Sequence, residues 1–176
     1  MKKQLFLGLG LLMFGLYSCG DSSSEESMVK EEVKEEKEVW NSLSFNDGGY
    51  LCQIELPAED KSGGASKVYF DENTGELHIL AGKRIDLIIV EDESQMNMKK
   101  NEIADHPFYA SEFTMENDSS LIYRMYASDG SKEEWHCYAE RNSSYGKWLI
   151  RSNENKSFSE YDVKLMMSVI DRLSIQ

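Results

Sequence analysis

Between Trp40 and Ile150 the apolar residues fall in short runs that alternate with polar ones and are broken by turn signals. A chain with that period folds into strands, because successive side chains in a strand point to opposite faces. In Tyr50-Leu51-Cys52-Gln53-Ile54-Glu55-Leu56 the residues Tyr50, Cys52, Ile54 and Leu56 share one face, and Pro57 ends the run. Asn46-Asp47-Gly48-Gly49 ahead of it is a hairpin turn. Further strands are expected at Val68-Tyr69-Phe70, Leu77 to Ala81, Ile85 to Val90, Phe108 to Met115, Leu121 to Ala127, Glu133 to Glu140 and Trp148 to Ile150. Asp71-Glu72-Asn73-Thr74-Gly75 and Ser128-Asp129-Gly130-Ser131 supply turns. Ile85 to Val90, the most apolar run, belongs inside a sheet. Glu91 to Ile103 is polar, with Met96 and Met98 as its anchors, and suits a short helix.

The period changes once, near the C-terminus. Val163, Met166, Ile170 and Leu173 form one helical stripe, widened by Leu165 and Val169. Ser157, with Glu160 three residues on, has the spacing of a capping box. Many hairpins and one terminal amphipathic helix predict an α+β domain over residues 40–176: an antiparallel meander with the helices on one face.

Residues 1–39 are of another kind. Lys2 and Lys3 precede an apolar run from Leu5 to Leu16. Twelve helical residues reach about 18 Å, short of the roughly 30 Å hydrocarbon core of a bilayer, so residues 1–18 read as an export signal and not as a span. Bulky Tyr17 does not suit an ordinary cleavage site. Leu16-Tyr17-Ser18-Cys19 instead resembles the lipobox of bacterial lipoproteins. That resemblance implies a diacylglyceryl group on the Cys19 thiol, cleavage before Cys19 and attachment to the lipid bilayer. Two or more acyl chains hold a protein stably where one does not. By the same analogy Gly20, in place of Asp, points to the outer membrane of a Gram-negative envelope. Asp21, Glu25 and Glu26 resemble export signals of surface-displayed lipoproteins. Residues 19–39 then form a tether. It is rich in Ser, Glu and Lys, like charges recur at Lys30/Lys34 and Glu31/Glu35, and valines at 29 and 33 are too few for a coiled coil.

The formal charge is −13, and losing residues 1–18 removes only Lys2 and Lys3 from the balance. So acidic a surface repels nucleic acid and anionic headgroups, which excludes nucleic acid as a partner and leaves attachment to the lipid.

Beyond Cys19 the cysteines are Cys52 and Cys137. Two alternatives stand: a disulfide closing a long loop, worth about 4–5 kcal/mol in the chain-entropy model, or two buried thiols acting as small hydrophobes. His78, His106 and His136 lack the short spacings of metal motifs, and no metal or other cofactor is expected. Alternation turns His78 and His136 away from the main apolar rows, so both read as surface histidines. No nucleophile elbow or phosphate-cradling loop is present in the sequence, which points away from an enzyme. Asp71 to Glu76 and Glu91 to Glu93 are acidic loops without the length of an EF-hand.

The best functional lead is aromatic. Tyr123, Tyr126, Trp135, Tyr138, Tyr145 and Trp148 crowd the second half. Alternation places Tyr123 with Met125 on one face and Tyr126 with Tyr138 on the other. Tyr126, Tyr138 and Tyr145 are the expected interaction surface. The order of elements also resembles the Mog1/PsbP-like family: a strand ending in proline at Tyr50 to Pro57, a strand near Phe70-Asp71, a middle helix, a meander and a final helix. The resemblance implies a sheet with that helix packed on it, and a role in binding an envelope protein partner without catalysis. An envelope hydrolase or metal-dependent enzyme, its site assembled from distant residues, is the alternative.

Overall fold

The Gly48-Gly49 pair closes the first hairpin. A two-residue loop matches strand twist only when both residues take positive φ, and these have φ 61° and 83°. Gly48 is doubly constrained, since a Cβ there would stand 2.4 Å from the Phe70 ring. The hairpin joins β1 (Trp40–Asp47) to β2 (Tyr50–Pro57). The computed structural model describes residues 39–58, 63–93, 96–144 and 146–175. After β2 come β3 (Lys67–Asp71), β4 (Glu76–Ala81), β5 (Ile85–Glu91), α1 (Met96–Ala104), β6 (Ala110–Glu116), β7 (Ser120–Tyr126), β8 (Glu133–Asn142), β9 (Lys147–Ser152), α2 (Glu160–Ile170) and β10 (Ser174–Ile175).

The α+β class holds, but the expected single meander resolves into two sheets. β2 lies between β1 and the two-residue β10. The other sheet has seven strands in the order β3-β4-β5-β9-β8-β7-β6, all paired antiparallel. It is two meanders, β3 to β5 and β6 to β9, joined where β5 meets β9. β5 is thereby interior, as its apolar text requires.

Alternation assigns each side chain of the large sheet to a face. Leu77, Ile79, Leu87, Ile89, Ile122, Cys137, Ala139 and Ile150 pack with Cys52, Ile54 and Leu56 of the small sheet and with Val163, Met166, Val169 and Ile170 of α2. Burying each large aliphatic side chain here is worth about 1.5–3 kcal/mol. On the opposite face Met96 and Ile103 of α1 pack with Leu121, Tyr123, Tyr138 and Leu149. The two helices therefore cover opposite faces, which corrects the expectation that both lie on one. Met98, expected to anchor α1, is 66% exposed.

The start of α2 is also corrected. Its cap is Ser159, with Asp162 completing the box: Asp162 N–H donates to Ser159 Oγ at 3.2 Å and Ser159 N–H to Asp162 Oδ2 at 3.0 Å. Ser157 cannot serve because it is committed elsewhere. Its hydroxyl donates to Glu134 Oε2 at 3.2 Å, and Phe158 is held in a bridge to Trp135.

Candidate interaction surface

Cys19 and Tyr145 lie outside the described residues. Cys52 and Cys137 are free, buried thiols in the same core, one on each sheet, so the disulfide alternative does not hold in this structure. Burial pushes the Cys52 thiol up to about 11 and the Cys137 thiol up to about 12, so neither offers thiolate at neutral pH.

Tyr138 is 1% exposed, under α1. The pairing of β7 with β8 sets Tyr138 opposite Leu121 and His136 opposite Tyr123. Tyr138 thus shares a face with Tyr123, and its expected grouping with Tyr126 is corrected. Face assignments within one strand follow from alternation, but between strands they depend on register, which the sequence leaves open. Tyr138 does not belong to a surface.

The partner of Tyr126 on its face is Trp135. Arg124 lies opposite both Trp135 and Glu112 in the register. Its guanidinium carbon stands 4.8 Å from the Tyr126 ring centroid and 5.8 Å from that of Trp135, inside the reach of a cation–π contact. Arg124 also pairs with Glu112 and, at 3.7 Å, with Glu133, whose Oε1 accepts from Trp135 Nε1 at 3.1 Å. The outcome is a clasp of rings and charges across β6, β7 and β8.

A second cluster lies on the opposite, α1 face, at the α1–β6 turn. Lys132 Nζ stands 5.1 Å over the Tyr109 ring and 2.9 Å from Glu134 Oε2. His106, two residues past the end of α1, contacts Tyr109 at 5.1 Å between ring centroids. Beside them Phe108 is 81% exposed, the most exposed large hydrophobic side chain of the described residues. The alternation alone makes Phe108 the first residue of a strand. The adjoining Pro107, which cannot continue a ladder, was the available sign that Phe108 stands in a turn.

His136 is not a surface residue either. It is 2% exposed, with the ring centroid 5.6 Å from that of Tyr123. Its Nδ1 is 3.1 Å from Ser152 Oγ and its Nε2 is 3.8 Å from Glu134 Oε1. Burial lowers its pKa, against the opposing pull of Glu134 and Glu154. An acid, an imidazole and a hydroxyl in sequence resemble a nucleophile relay. The hydroxyl, however, is 0% exposed, and it already accepts the Cys137 backbone N–H at 3.1 Å. The β8–β9 ladder stops at Tyr138/Arg151, one pair short of Cys137 and Ser152. The Ser152 side chain fills the missing rung, which is structural work.

Toward β3 the α1 face carries a polar row. Tyr69 stacks on His78 at 4.9 Å with planes 6° apart, under Lys67 Nζ at 4.2 Å. Glu76 takes Arg151 at 2.9 Å and lies 3.5 Å from His78. The loop at Asp71 is a closed turn, since Asp71 Oδ1 accepts Asn73 N–H at 2.9 Å and Asn73 Nδ2 at 3.2 Å. Among the described residues no three His, Cys, Asp or Glu side chains gather to hold an ion. A cavity of about 230 Å³ lies against the small sheet, lined by Ser44, Leu51, Cys52, Gln53 and Ser174. That is smaller than the roughly 300–1,000 Å³ usual for small-molecule sites.

Among the described residues no helix is long and apolar enough to cross a membrane. Comparison of the chain with protein-family models, with curated proteins and with solved structures finds no match.

Proposed function

We propose that the chain is a lipoprotein of the Gram-negative outer membrane, anchored through an acylated Cys19, whose α+β domain binds an envelope protein partner without catalysis. The anchor rests on the Leu16-Tyr17-Ser18-Cys19 stretch and the short apolar run before it. The binding reading rests on one observation above all, the exposure of Phe108 beside His106 and Tyr109. An exposed aromatic knob, with His106 and Tyr109 against it and the Lys132–Glu134 pair next to Tyr109, suits a cleft on a partner protein, because aromatic anchors inside a polar rim carry most interface energy. The Mog1/PsbP-like order of elements supports the same class of role.

The rival reading, an envelope hydrolase, draws on Glu134, His136 and Ser152. Against it stands the closed position of the Ser152 hydroxyl, which no substrate carbonyl reaches without opening β8 from β9.

A photo-crosslinking amino acid at position 108, in cells fed an alkyne fatty acid, tests both halves. Expected are a lipid label that Cys19→Ser abolishes and a discrete protein adduct from position 108. A label that survives Cys19→Ser removes the anchor. Efficient activation with no discrete adduct removes the binding surface.

A further inference from the structure

The turn that carries Phe108 is built on an imidazole. The backbone N–H groups of Phe108 and Tyr109 both donate to Nδ1 of His106, at 3.3 and 3.2 Å. Pro107 between them has no N–H to offer. Both free donors of the turn therefore converge on one lone pair. A ring nitrogen that accepts carries no proton, so this turn selects the neutral imidazole with its hydrogen on Nε2. The His106 ring also meets Phe108 edge-on at 6.2 Å and Tyr109 at 5.1 Å. The ring and the two amides thus hold Phe108 outward together. The charged groups around it are Asp105, which precedes it at the end of α1, and Lys132 from the β7–β8 loop, which lies over Tyr109 and is paired to Glu134.

We propose that His106 is a proton-controlled switch for the presentation of Phe108. Neutral, it ties the turn and displays the ring. Protonated, Nδ1 becomes a donor facing two donors, both hydrogen bonds are lost, and Phe108 leaves its presented position. The proposal rests on the reading of this corner as a binding surface, whose affinity then falls on acidification. Histidine suits the task because its ordinary titration falls between about pH 5 and 8. An asparagine at the same place supplies an acceptor oxygen that turns of this kind use and that no proton neutralises.

The test uses the full chain, isotopically labelled, followed by NMR from pH 8 to pH 5. The Phe108 and Tyr109 amide shifts are expected to move with the same midpoint as the His106 ring proton. Exchange of those two amides, corrected for intrinsic chemistry, is expected to run about fivefold faster in the protonated form, the loss of a net hydrogen bond. In His106→Asn both readouts are expected to be flat. Amide shifts that ignore the His106 titration overturn the switch, and so does an Asn variant that keeps the pH dependence. These readouts need no partner, so failure of the switch is distinct from failure of the binding reading, which the position-108 adduct reports.

Discussion

The two faces of the seven-stranded sheet are built on different terms. One is dry: aliphatic side chains from three layers close over it, and α2 contributes Val163, Met166, Met167, Val169 and Ile170 to the seal. The other is mixed. α1 buries only Met96 and Ile103, and its lysines reach out to Glu154 and Glu116 at 2.9 Å. Surface pairs of that kind add little, about 0–1 kcal/mol each. By alternation the buried acidic and imidazole side chains of the large sheet, Asp86, Glu134 and His136, all fall on the α1 face. Stability is therefore concentrated under α2, and sensitivity to solvent conditions under α1.

The sharpest way to break that contrast is through Tyr138, which would show whether the α1 face is core at all. Tyr138→Ala is expected to cost about 3–5 kcal/mol, like other buried aromatic truncations, against about 1–2 kcal/mol for Tyr126→Ala at the half-buried clasp. Tyr138→Phe is expected to be near neutral, because the phenol's contact to Glu140 is long at 3.5 Å. Urea midpoints of the three variants decide it, and equal losses for Tyr138→Ala and Tyr126→Ala would overturn the assignment of Tyr138 to the core.

A second comparison sets one aliphatic residue on each face. Leu87 is 0% exposed between α2 and the small sheet, while Ile103 is 3% exposed at the end of α1. Leu87→Ala is expected near the upper end and Ile103→Ala near the lower end of the roughly 2–5 kcal/mol range for such truncations, since a site under a short helix can collapse. Amide exchange should separate them further. Ile103→Ala is expected to speed α1 alone, and Leu87→Ala to speed the whole domain. Equal losses with global exchange in both would erase the distinction between the faces.

What was legible beforehand follows the same divide. The α2 stripe, the Tyr50-to-Leu56 alternation and the glycine turns are local patterns, and each lands where its period puts it. The insertion of β9 between β5 and β8 is a pairing across more than fifty residues that no local pattern records. Tyr138 and His136 differ from expectation for another reason: their strands are legible, but the β7–β8 register and the covering α1 are not. The cap moved from Ser157 to Ser159 because two Ser-x-x-acid spacings overlap, and a tertiary bond from Ser157 to Glu134 chooses between them. α1 was faint because its apolar residues do not make a stripe. Of the candidate surface, Tyr126 is half-buried in the clasp, and Phe108, where the alternation starts a strand, stands in a turn.

The smallest predicted effect isolates the chemistry of the mixed face. His136 is buried among Glu134, Glu154, Lys132 and Tyr123, and burial lowers its folded pKa below the value of about 6.5 for a free imidazole. In the interval between the two values the unfolded chain binds a proton that the folded one refuses, so stability rises with pH there. The contribution is whole above about pH 6.5 and is lost as pH falls through the lowered folded value. Subtracting the pH profile of His136→Asn from that of the parent cancels the carboxylates both share. The difference is expected to slope by at most one proton, beginning near pH 6.5 and deepening toward pH 5. A flat difference would mean that His136 is as solvated as a surface imidazole, and that burial under α1 does not bias its protonation.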